Sequence, residues 1–174
     1  AKTDRLDALA LAGLLAAGHA EALGVWVVDQ ETYELRELTR SREQLVRQKV
    51  QLCNRLRASV ARAGDECPYS NLLGCLGREW MAAFLARQPQ TVRAGLQALW
   101  TVLLTIAAQL AQLEQQIAEL AAAHPVAQRL ETIRGCGAVT ALTVVAEVGT
   151  VQRFASPKHL RSYAGLVPQV KQSG

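Results

Sequence analysis

The chain of 174 residues is half apolar and poor in aromatics, with four scattered cysteines and a net charge of +4. It therefore has material for a core, but neither a disulfide framework nor a zinc knuckle is indicated. No signal peptide and no apolar run of about 18 residues is read in it, so membrane insertion is not expected and a reducing cytoplasm is.

Abundant Ala, Leu and Gln predict a mainly α-helical protein. Thr3 is placed to cap a helix over residues 4–17, which Gly18 ends in the left-handed conformation. Residues 24–28 (GVWVV) form a short apolar stretch, either a strand or a buried loop. Residues 31–63 read as one long helix whose seam, Leu35, Leu38, Arg42, Leu45, Lys49, Leu52 and Leu56, alternates spacings of three and four but contains two cations. Residues 64–77, rich in Gly, Pro, Asn and Ser, read as a loop, and residues 78–86 as a short helix.

A second long helix is expected over residues 91–123. Its seam positions Leu96, Leu99, Leu103, Ile106, Leu110, Leu113, Ile117 and Leu120 are all aliphatic, the pattern of a coiled coil. The two long helices can pair as an antiparallel hairpin, across a dimer, or both, and the complete second seam predicts a homo-oligomer. His124-Pro125 ends this helix, because a residue before proline avoids the helical region. Apolar helices at 126–133 and 138–148 then flank Gly135 and Gly137, Gly149 is placed as a C-cap, and Ser156 with Pro157 opens a helix at 157–163. Residues 165–174 read as an extended tail. The expected organisation is three parts, 1–28, 29–125 and 126–174: a coiled-coil helical hairpin followed by a small helix-hairpin-helix-like domain.

Charge is distributed unevenly, and distribution is what a polyanion senses. Residues 36–62 hold eight basic and two acidic side chains, and residues 128–174 hold six and two, so the remainder of the chain is acidic. An excess of six positive charges on one helix repels itself unless something neutralises it, and nucleic acid is the expected partner.

Gly135 and Gly137 can both reach positive φ, so they can turn one apolar helix into the next and offer backbone amides to a phosphate. Arg134, Arg153, Lys158, Arg161 and Lys171 add cations around them. A helix-hairpin-helix grips a nucleic-acid backbone without reading bases, although the corner of a helical bundle gives the same pattern. Asp4 and Asp7 share a helix face and could hold one Mg²⁺ through hard oxygen ligands, or simply offset the helix macrodipole. Ser173 by itself is a solvated tail residue, and His19, His124 and His159 are too scattered for a ligand set.

Taken in order, KTDRLDALALAGLL, LRELTRSREQLVRQKVQLCNRLRA, RLETIRGCGAVTALTVVAEVG, RF, HLRSYAGLVP and QSG resemble the transposases of the insertion sequence 110 family. These are DEDD-type enzymes that include the bridge-RNA-guided recombinases. The resemblance implies an RNase H-like (RuvC-like) catalytic domain, of which residues 1–28 match the last helix. It further implies a dimerising coiled coil at 29–125 and a C-terminal transposase domain beginning at 126. Asp4 and Asp7 match the last two acidic positions of the Mg²⁺ site, and Ser173 matches a serine proposed as nucleophile. DNA and a structured guide RNA are the implied partners.

The chain departs from the family pattern in three ways. The front of the RNase H-like domain, with the first Asp and the Glu of the tetrad, is not in it, nor is the basic continuation after the serine. In addition, Arg134 stands where the hairpin usually has proline. The expectation is thus a transposase fragment that is inactive alone. The alternative is a non-catalytic coiled-coil scaffold that binds nucleic acid through its basic faces.

Overall fold

The computed structural model describes residues 4–19 and 26–166, and every regular element among them is helical. The helices are α1 (Asp4–Ala16), α2 (Gln30–Arg62), α3 (Cys75–Arg87), α4 (Gln90–Ala123), α5 (Pro125–Glu131), α6 (Ala138–Val148) and α7 (Pro157–Tyr163), with a 3₁₀ turn at Val151–Arg153. The mainly α expectation holds. Residues 24 and 25 of the GVWVV stretch, and 167–174 of the tail, lie outside the described residues.

Helices α2 and α4 pack against each other as an antiparallel pair, with a core at each end. At one end Leu56 and Val60 of α2 join Leu96, Trp100 and Leu103 of α4, closed by Met81, Phe84 and Leu85 of α3. At the other, Leu35 and Leu38 of α2 pack on a cluster of Ile117 and Ala121 from α4, Ala127 from α5, and Ala141 and Leu142 from α6. Between them Arg42 Nε donates to Glu114 Oε1 at 3.0 Å, so one cation in the first seam meets a carboxylate on the facing helix.

The aliphatic seam of α4 is therefore used largely within one chain. Leu96, Leu103, Ile106, Leu110 and Ile117 are buried, Leu99 and Leu113 are half-buried, and Leu120 is exposed. Helix α4 is also, by length and composition, apolar enough to cross a membrane, which was not expected from the sequence. Its apolar face lies against α2, α3 and α6, as the central helix of a bundle requires.

Local chemistry sets most helix ends where expected. Asp29 caps α2 by accepting from Thr32 N at 2.7 Å, which holds its carboxyl below the usual carboxylate range. Ser156 caps α7, with Pro157 at its first position. The start of α3 is a correction: it begins at Cys75, three residues before the expected position. Gly77 lies inside its first turn, buried against the loop, where a Cβ would come within 2.8 Å of Leu72 Cα. What looked like loop composition is close packing.

Helices α5 and α6 share the core at the open end of the α2/α4 pair, so residue 126 does not separate two independent cores. His124 does more than stop α4. Its Nδ1 accepts from Val126 N at 3.2 Å and Ala127 N at 3.4 Å, capping α5 at the same junction.

Candidate nucleic-acid interface

The turn between α5 and α6 is built from both glycines, but they serve differently. Gly135 has φ +90° and reverses the chain. Gly137 does not take positive φ, contrary to expectation; it is extended at φ −88°, ψ 176° and stands as the N-cap of α6, with no side chain to accept from the first turn. Among the described residues the amides of Gly137, Ala138, Val139 and Thr140 find no protein acceptor. A Cβ built at either glycine meets nothing within 4 Å, so the approach to these donors is open. Such an end carries partial positive charge and unmet donors, the two features that favour an anion.

Arg134 is exposed beside this turn, and Lys158 and Arg161 are exposed on α7. None of the three forms an ion pair among the described residues. The two groups sit at opposite ends of α6, whose eleven residues span about 16 Å at 1.5 Å each. They are not gathered at one point. Lys171 and Ser173 lie outside the described residues.

Arg153 is placed differently from the other cations. Its guanidinium carbon is 4.2 Å from the ring centroid of Trp26, 4.1 Å from Phe154 and 4.4 Å from Tyr163. Its Nε donates to Val148 O at 3.1 Å, and its Nη2 is buried with no acceptor among the described residues. Its guanidinium is thus engaged by three aromatic rings and a backbone carbonyl, unlike those of Arg134 and Arg161.

The basic run on α2 is also largely answered from within. Arg40 pairs with Glu147, Arg42 with Glu114 and Arg47 with Glu43. Arg36 donates to Ala146 O and Glu147 O, and Arg57 donates to Tyr69 O and Ser70 O. The self-repulsion that pointed to a phosphate track is relieved by carboxylates and carbonyls, of which only those of Glu114, Ala146 and Glu147 are far away in sequence. Lys49 and Arg55 have no acceptor among the described residues.

Asp4 and Asp7 are both exposed in the first turn of α1. Two carboxylates supply a minority of the oxygen ligands a Mg²⁺ takes, and among the described residues no cluster of three metal-binding side chains forms. These residues alone do not complete a metal site. Glu147, Trp26 and Tyr163 were not anticipated as organising residues; a lone Glu in the apolar α6 and Trp26 beside the long helix were the only local signals.

A family profile described as Transposase IS116/IS110/IS902 family matches residues 127–174, which include the α5–α6 turn and α7. A second, for DEDD-type transposases of the same group, matches residues 1–63, which include α1 and α2. The transposase for insertion sequence element IS1111A of Coxiella burnetii is 31% identical over 99% of this chain and 47% of its own length. The putative transposase y4qE of Sinorhizobium fredii is 31% identical over 99% of this chain and 41% of its own. A probable family 20 transposase of Pseudomonas aeruginosa is 28% identical over 85% and 44%. The chain thus spans a little under half the length of the curated relatives it matches, and no solved structure matches it. Membership of the DEDD group implies a divalent cation in the intact enzyme. With both ends of the chain matched by profiles of one group, and relatives aligned across nearly all of it, the protein belongs to the IS110 family of transposases.

Proposed function

We propose that this chain is the helical and C-terminal portion of a DNA transposase, and that it holds a nucleic-acid backbone through the α5–α6 turn and α7. The observation that carries the reading is the open, uncapped start of α6 beside Arg134, in the stretch matched by the family profile. Backbone amides and cations contact phosphates without reading bases, which suits an enzyme whose target is chosen by a structured guide RNA. Arg134, Gly135, Gly137, Lys158, Arg161 and Lys171 form the contact set; Arg153 does not belong to it.

In the intact enzyme Asp4 and Asp7 serve as two of the carboxylates around a Mg²⁺, which would supply charge stabilisation at the reacting phosphate. Ser173 is the nucleophile: its hydroxyl displaces a deoxyribose oxygen at phosphorus, and the resulting phosphodiester is resolved by rejoining to a second strand. The assembly is a homo-oligomer working in the bacterial or archaeal cytoplasm. The three parts, residues 1–28, 29–125 and 126–174, act as catalytic helix, coiled-coil support and DNA-contacting domain.

The test is a salt titration of duplex binding by the purified chain. Each neutralised phosphate contributes about −0.9 to the slope of log affinity against log salt. Arg134, Lys158, Arg161 and Lys171 therefore give a slope of about −3 to −4, and replacing Arg134 and Lys158 with Ala makes it shallower by about 2. A flat titration, or no binding at low salt, defeats the reading.

A further inference from the structure

Helix α7 carries Lys158 and Arg161, yet it has seven residues and none of them is buried. A helix of that length is not stable by itself, so something else must hold it. Its attachments are few. Leu160 is half-buried, Tyr163 Oη donates to Glu147 O at 3.0 Å, and the Tyr163 ring lies tilted on Phe154 with centroids 5.3 Å apart.

Arg153 occupies the centre of this contact. Its guanidinium touches the rings of Phe154, Tyr163 and Trp26, while Nε is tied to the last turn of α6 through Val148 O. Burying Nη2 without an acceptor is unfavourable for a cation. The ring faces replace that acceptor, because a cation is drawn to the electron-rich face of an aromatic ring. Trp26 in turn is fixed from two further directions. Arg36 lies 5.3 Å from its ring centroid, and its indole rests on Gly149, where a Cβ would come within 3.0 Å of Cζ2.

We infer that Arg153 is a positioning residue: clasped by Trp26, Phe154 and Tyr163, it fixes α7, with Lys158 and Arg161, against the C-terminal end of α6. The clasp also joins the chain entering α2 to the segment that leads out of α6. Removing any ring or the guanidinium frees α7, and the two exposed cations lose their fixed place on the nucleic-acid backbone. The inference rests on the reading of α7 as a phosphate-contacting helix.

Salt titrations of duplex binding distinguish a positioning residue from a phosphate ligand. The Lys158→Ala/Arg161→Ala chain loses two contacts, so its slope becomes shallower by about 1.8. Trp26→Ala removes no charge, yet it is expected to lower the slope and affinity by the same amount, and to have no added effect in the double-alanine background. Arg153→Lys keeps the charge but loses the planar face, and is expected to behave as Arg153→Ala does. The opposite pattern overturns the inference: Trp26→Ala and Arg153→Lys unchanged, with Arg153→Ala shallower by about one contact.

Amide hydrogen exchange without nucleic acid provides a second arm. Residues 157–163 are expected to exchange faster in Trp26→Ala, Arg153→Ala and Arg153→Lys, while α2 and α4 keep their protection. Unchanged exchange in α7 refutes the clasp whatever the binding result. A wild-type chain that binds no duplex, but whose α7 loosens in these variants, refutes the functional reading and leaves the clasp standing.

Discussion

Arg40 of α2 and Glu147 of α6, 107 residues apart, meet in a two-pronged ion pair: Nε to Oε1 and Nη2 to Oε2, both at 2.8 Å. Arg36, one turn earlier, donates to the backbone carbonyls of Ala146 and Glu147 at 2.6 and 2.8 Å. Two arginines thus meet the negative end of the α6 macrodipole and the acceptors left open there. The contact joins the two stretches that match the transposase profiles.

The pair makes a pH prediction. The Arg40 hydrogen bond holds the Glu147 carboxyl below the ordinary value of 4.5, against the opposing effect of burial, and raises the Arg40 pKa in return. A carboxylate with a lowered folded pKa contributes stability that is complete above the unfolded value and is lost as pH falls through the folded one. Urea unfolding measured from about pH 7 to about pH 3 should show Glu147→Gln less stable at neutral pH by about 0.2–1 kcal/mol, since the pair is partly exposed. The gap should close in acid. A constant gap at every pH would assign the loss to packing.

Core substitutions separate intrachain from interchain use of the α4 seam. Leu103 is fully buried, inside a cluster drawn from α2, α3 and α4 of one chain. Leu103→Ala should cost about 2–5 kcal/mol, and Leu103→Asp, burying an unpaired charge, should abolish helicity rather than release a folded monomer. Circular dichroism with light scattering checks this; a helical, monomeric Leu103→Asp chain would place Leu103 at an interface between copies.

Glycine replacements should diverge in sign. Gly95 lies inside α4 with nothing within 4 Å of a built Cβ, so Gly95→Ala should stabilise by about 0.5–1 kcal/mol. Gly77→Ala would press into the Leu72 backbone, which cannot yield as a flexible side chain would, and should destabilise. Gly135→Ala forces a Cβ into the left-handed region at a cost of about 1–2 kcal/mol. Thermal melts of the three variants give the order directly.

In a full-length transposase of the kind proposed above, Ser173→Ala and Asp7→Asn should each abolish recombination while leaving DNA affinity within about threefold, because neither residue supplies much phosphate attraction. The chain alone, with Mg²⁺ and a guide RNA, should neither cleave nor join strands. Recombination by the Ser173→Ala enzyme would return that serine to the role of a solvated tail residue.

Local sequence determined the helices and many of their ends. Seam spacing defined α2 and α4, Pro125 ended α4 and opened α5, and Ser156-Pro157 placed α7 at its first residue, because caps and proline act over three or four neighbours. The charge run on α2 was equally plain in the sequence, but its meaning was not. Glu114 and Glu147, the acids that answer Arg42 and Arg40, lie 72 and 107 residues away, and no local pattern reports a partner at that distance. The aliphatic seam likewise specifies that α4 must be covered; the tertiary structure decided that α2 of the same chain provides much of that cover. Arg153 shows the difference most clearly, since in sequence it is one more cation of a basic tail, and only the convergence of Trp26, Phe154 and Tyr163 encloses it.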